Sequence, residues 1–161
     1  MPVRQVLRHP HPGLKAQARA LADDADCTAL VADLVATMES FPRCAGIAAP
    51  QVGELVRVCV VDCSLHPKCG EHHGRLVLVN PVIVEAEGSE VGREGCLSIP
   101  ELTANVRRAS RVRVRARDLD VDATGFEARV LQHEIDHLDG LLFLDRVTSV
   151  ARDVFRRRAP R

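Results

Sequence analysis

The 161-residue sequence has no run approaching 18 consecutive apolar residues, which excludes a membrane-spanning helix of ordinary length. It has no excess of charge. The 22 Lys and Arg residues balance 22 Asp and Glu residues, so net charge argues neither for specific DNA binding nor for an anionic membrane. Cysteines 27, 44, 59, 63, 69 and 96 contain no CxxC pair. No internal repeat or low-complexity linker divides the chain, which favours a single domain. The opening stretch, MPVRQVLRHPHPG, carries three prolines and no apolar core of signal-peptide length. The expected compartment is therefore the cytoplasm, where the cysteines serve as thiols or metal ligands rather than as disulfides.

What is present is an ordinary globular balance, 46% hydrophobic and 27% charged, enough to bury roughly two thirds of the unfolded surface. In DCTALVADLVATMES (26–40), Leu30, Val31, Leu34, Val35 and Met38 fall at helical spacing. Asp26 or Thr28 supplies the cap, and Phe41-Pro42 the stop. VRVCVVDC (56–63), RLVLVNPVIVEAEG (75–88) and SRVRVRARD (110–118) read as strands. The last alternates, with Val112, Val114 and Ala116 opposite Arg111, Arg113, Arg115 and Arg117, as in an antiparallel or mixed sheet with one wet face. A second helix spans about 125–138, with Phe126, Val130, Leu131, Ile135 and Leu138 as its stripe and Gly140 beyond its end. The economical class is α+β.

VLQHEIDHLDG (130–140) runs through the end of that second helix. His133 and His137 are one turn apart and project from one face, as a pair binding one cation must. Glu134, about 100° round the helix, can reach a water at that cation without being a ligand. The third ligand is not downstream. Phe143 occupies the position where one class of metalloprotease places a third histidine, and no glutamate follows Glu134. Asp139 lies too near His137 to point at the same ion. Upstream, REGCLSIP offers Cys96 beside Gly95; alone, Cys96 also reads as a buried apolar thiol. A thiolate with two imidazoles and an open fourth position is a catalytic metal arrangement.

Three stretches together resemble the peptide deformylase family: CAGIAAPQ (44–51), EGCLS (94–98) and QHEIDHLDG (132–140), in order, with LVLVNP (76–81) between the first two. The resemblance covers roughly residues 1–147, read as the catalytic domain, and leaves 148–161 as a short basic tail. It implies antiparallel or mixed sheets packed around a central HExxH-bearing helix, and a hydrolase that removes the N-formyl group from the N-terminal methionine of nascent polypeptides, releasing formate. It implies Cys96, His133 and His137 as metal ligands and Glu134 as general acid/base. Gln51 and the Leu97 N–H become donors to the formyl oxygen, and Gly46 a wall of the cleft. It also implies one divalent cation per chain, Fe2+ in the cell, with Zn2+, Ni2+ or Co2+ as replacements. Intact Glu134 and Gln51 argue against a protein that merely binds metal.

Ile47, Phe126 and Val130 are candidates for an apolar pocket receiving the methionine side chain. Arg152 to Arg161 read as a solvated tail, whose charge alone would bring the enzyme to ribosomal RNA. In CSLHPKCGEHH (63–73), Cys63, Cys69 and His72 or His73 raise the question of a second metal. The five-residue gap between the cysteines and Pro67 argue for a plain loop. Cys44, in place of the loop motif's first glycine, and Glu127, where many members are apolar, depart from the family.

Overall fold

A computed structural model describes residues 2–157. The fold is α+β, with nine strands among the described residues in three sheets, every strand pair antiparallel. One sheet orders β1 (Gly46–Ala48), β2 (Val58–Asp62) and β3 (Arg75–Val79). A second orders β4 (Val82–Glu87), β7 (Arg111–Ala116) and β8 (Leu119–Thr124). The third orders β5 (Glu90–Cys96), β6 (Ile99–Arg108) and β9 (Val154–Arg156). The helices are α1 (Thr28–Glu39), α2 (Gly125–Leu138) and the single turn α3 (Val150–Asp153). None among the described residues is long and apolar enough to cross a membrane.

The predicted helices form where the apolar spacing puts them. Asp26 Oδ1 accepts a hydrogen bond from Thr28 N at 2.9 Å at the start of α1, and Leu34 and Met38 are buried against Ile47, Val58 and Val60. In α2, Leu131, Ile135 and Leu138 join a core with Cys59 and Val61 of β2, Leu78 of β3, and Val112, Val114 and Val121 of the second sheet. The helix is buried along most of its length, charged residues included. It ends at Gly140, where φ is +76° and an added Cβ would lie 2.6 Å from the Lys15 carbonyl oxygen. Glycine is required there on both counts.

The structure departs from the sequence reading at three places. The stretch 75–88 is two strands in two sheets, because Asn80 takes φ +53° and exchanges hydrogen bonds with the Leu21 backbone, ahead of Pro81. Strands β1, β5, β6 and β8 were not marked in the sequence reading, although β8, LDVDAT, alternates apolar and polar residues along its whole length. Residues 150–156, read from their charge as part of a solvated tail, instead form α3 and β9. Val154–Arg156 pairs with Leu102–Ala104, since the ten-residue β6 offers an edge that β5 leaves open. Arg158–Arg161 lie outside the described residues.

The alternation read in 110–118 is real: Val112 and Val114 are buried, and the arginines line the wet face. There Arg111 and Arg113 pair with Asp122 and Asp120 of β8 and with Glu85 of β4. Exposed pairs of this kind are screened by solvent and add little to stability.

Candidate active site and metal centre

Two elements carry the candidate metal donors. His133 and His137 project from one side of α2, with ring centroids 5.1 Å apart. Cys96 closes β5, where a register shift after Glu94 turns the chain so that Cys96 pairs with Ile99. Single donor atoms of Cys96, His133 and His137 all lie within 4.8 Å of one another. Cys96 Sγ is 3.4 Å from His137 Nε2. Bond lengths of about 2.3 Å to sulfur and 2.0–2.1 Å to nitrogen give a tetrahedral edge of about 3.6 Å, so the observed spacing suits one such ion. Among the described residues this is the one cluster of three or more donors that meets this spacing.

The 63–73 stretch holds no such cluster. Its His66 ring stacks on Phe126 at 4.4 Å, and its His73 is tied through N and Nδ1 to Glu127 at 2.7 and 2.6 Å. Glu127, a buried carboxylate at the start of α2, thus pins the loop to the helix.

The orientation of His133 is set by residues that motif reading left without a role. His133 Nδ1 lies 2.8 Å from Glu94 Oε1, which leaves Nε2 for the ion. Glu94 also accepts from Arg108 Nε and Nη2 at 2.8 and 2.9 Å and from Arg129 Nη1 at 2.7 Å. Burial alone would raise this carboxyl, but the bonds from Arg108 and His133 hold it well below the usual carboxylate range. Arg108 further binds Asp136 at 2.6 Å, and Phe143 stacks on the His133 ring at 6.1 Å. Glu94 and Asp136 both sit inside the quoted motifs. Periodicity cannot say that they converge on Arg108 of β6, with Arg129 of α2 also on Glu94 and Arg146 also on Asp136.

Replacing Glu94 by glutamine removes the charge that two buried guanidiniums share. A loss on the order of 3–5 kcal/mol is expected, with metal affinity falling roughly 10–100-fold. Urea denaturation and a chelator competition check both; a variant unchanged in either would show that His133 needs no such support.

Glu134 is buried, and its Oε1 has no hydrogen-bond partner among the described residues. Burial pushes its carboxyl up to about 7. Gly46 lies directly against it: an added Cβ would sit 2.7 Å from Glu134 Oε2 and 2.9 Å from Cγ. Gly46→Ala is therefore expected to displace the carboxylate and lower kcat by roughly 10²-fold with metal content unchanged, since misplacement near 1 Å carries such a cost. Normal kcat in a metal-loaded variant would contradict this.

Gln51 is also buried. Its Oε1 accepts from Ala48 N at 3.0 Å, which turns the amide nitrogen toward Ser98 Oγ at 3.1 Å and Cys96 Sγ at 3.5 Å. Leu97 lies in the turn between Cys96 and Ser98. Cys44 does not compete for the ion: its thiol donates to Gly46 O at 3.2 Å, and burial pushes it up to about 12.

The three pocket candidates part company. Strand alternation sends Gly46 and Ala48 toward α2 but Ile47 toward α1, where it is fully buried among Leu34, Met38 and Val58, so it lines no cleft. Val130 belongs to the α2 core. Phe126 borders a cavity of about 170 Å³ with Gly92, Arg93 and Arg129.

Comparison with known proteins gives a consistent result. The polypeptide deformylase family profile matches residues 3–153. A peptide deformylase of Thermodesulfovibrio yellowstonii is 37% identical over 98% of this chain and 97% of its own. One from Dictyoglomus thermophilum is 42% identical over 91% and 94%. A Legionella pneumophila peptide deformylase superposes with TM-score 0.82 at 35% identity, covering 94% of this chain and 89% of that one. A class I type b peptide deformylase of Acinetobacter baumannii, bound to Met-Ala-Ser, gives 0.83 at 34% identity over 91% and 100%.

Proposed function

The chain belongs to the peptide deformylase family, metal-dependent hydrolases that remove the N-formyl group of nascent polypeptides, and from that premise we propose how its own residues perform the reaction. The convergence of one thiolate and two imidazoles beside an unpartnered buried carboxylate carries the reading. Cys96 Sγ, His137 Nε2 and His133 Nε2 would hold the ion. A divalent cation bound there supplies an acidified water and polarises the formyl oxygen.

Glu134 takes the proton of the attacking water and delivers it to the departing amine nitrogen. A carboxyl near 7 can do both at neutral pH. The Gln51 amide and the Leu97 backbone N–H donate to the formyl oxygen as it gains charge. Gly46 keeps the wall low beside Glu134. Strands β1 and β5 are both sheet edges, so an extended peptide can lie along their open main-chain groups. The Met-Ala-Ser held by the Acinetobacter relative is the tripeptide product such a site would release. Phe126 and Val130 are assigned to the methionine pocket. On this reading the HExxH helix is the centre of the fold, with the three sheets around it.

The borderline donor set suits Fe2+, which we assign as the ion in the cell, with Zn2+, Ni2+ or Co2+ as replacements. The compartment is assigned as the cytoplasm, where nascent formylated chains arise, and residues 1–147 as the catalytic domain. Formate release from a formyl-Met peptide by anaerobically purified protein, beside an unformylated analogue with cuttable internal bonds, tests the function. Internal cleavage without formate would overturn it.

The terminal arginines are assigned to ribosomal RNA, supported by charge. Because 154–156 belong to a sheet, the test is truncation after Arg157. Peptide kinetics should be unchanged and salt-sensitive ribosome cosedimentation weakened; equal binding with and without the four residues would end this assignment.

A further inference from the structure

A cavity of about 240 Å³ opens on the flank of α2, lined by residues that include Ser89, Arg107, Arg108, Gln132, Asp136 and Arg146, none of them a candidate metal donor. Its charge is unbalanced. Asp136 is the one carboxylate in the lining, and it is divided between two guanidiniums: Arg108 Nη1 at 2.6 Å, and Arg146 Nε and Nη2 at 3.0 and 2.8 Å. Behind it, Glu94 is divided among Arg108, Arg129 and His133. Arg107 is exposed and pairs with no carboxylate among the described residues; its Nη1 donates to Ser89 Oγ at 2.9 Å, which holds it at the rim. Of the three arginines in the lining, Arg108 and Arg146 share Asp136, Arg108 is also paired with Glu94 behind it, and Arg107 is left over.

Donors remain as well as charge. Arg107 has Nε and Nη2 to offer, and Arg146 has Nη1, because its other two nitrogens are taken by Asp136.

We infer that this cavity binds a phosphate-class oxyanion between Arg107 and Arg146. A tetrahedral, doubly charged anion satisfies two guanidiniums that approach from different elements, the end of β6 and the 3-10 turn Phe143–Arg146, whereas a single carboxylate is satisfied by one. Gln132 adds no donor, its amide nitrogen being spent on the carbonyls of Ala109 and Ala128. Ser89 adds its hydroxyl proton. The anion can be free phosphate or a phosphate of an RNA backbone, since both present the same oxygens.

The test uses the full-length, metal-loaded protein. Inorganic phosphate is titrated at constant ionic strength, with the melting temperature and equilibrium dialysis as readouts, against Arg107→Ala and the charge-conserving Arg107→Lys. Arg107 is exposed and makes one side-chain bond, so neither variant should impair folding or formate release. The expected result is saturable binding that weakens roughly tenfold in Arg107→Ala, the loss of one charge-assisted hydrogen bond, and is partly kept in Arg107→Lys. Phosphate held at the metal would not respond to Arg107. A second arm replaces phosphate with a short RNA. RNA binding that Arg107→Ala weakens and phosphate displaces identifies the backbone as the source, and saturable phosphate binding without it identifies the free ion. Non-saturable stabilisation, equal in wild type and Arg107→Ala, would overturn the site.

Discussion

Glu134→Gln is expected to leave the metal in place and reduce formate release by on the order of 10²-fold or more, the usual scale for losing a positioned base. The amide keeps the length of the carboxylate, so the close approach of Gly46, whose added Cβ would come within 2.7 Å of Oε2, is undisturbed. Burial already disfavours the charge at this position, so an uncharged replacement should not weaken the fold. The loss is then chemical: Gln cannot accept the water's proton. Metal analysis and turnover on one preparation check it, and near-normal rates with full metal would remove Glu134 from the mechanism.

Cys96→Ser should fail in a different way. A hydroxyl is a far poorer ligand than a thiolate, so occupancy itself should drop well below one ion per chain after dialysis, and activity with it. The rest of the constellation should persist, because His133 is held by Glu94 and Gln51 is held by Ala48 and Ser98. The contrast between the two variants separates holding the ion from using it. A serine variant with full occupancy and intact turnover would return the third ligand to open choice among the other donors.

The two helices and the candidate metal cluster were legible in the sequence because each depends on spacing within one element or on a short motif. Four residues per turn bring His133 and His137 together wherever the helix lies. The alternation of 110–118 likewise needs only its own strand. What was not legible rests on distant partners. Asn80 divides 75–88 through bonds to Leu21, 59 positions away, and β9 exists because β6 has a second edge, opposite β5, for it to pair with. Ile47 was misplaced because its face follows from the register of a three-residue strand too short to show a period. Glu94 stands in a quoted motif, but its burden of two arginines and a histidine is visible only once β5, β6 and α2 are packed.

That shared carboxylate also bears on the life of the protein after synthesis. Small zinc-folded modules acquire their shape from the ion and lose it on chelation. Here the imidazole is aimed by a network of guanidiniums that would be equally satisfied before any ion arrives. The socket is therefore expected to keep its shape without an occupant. An emptied molecule would then be a refillable one.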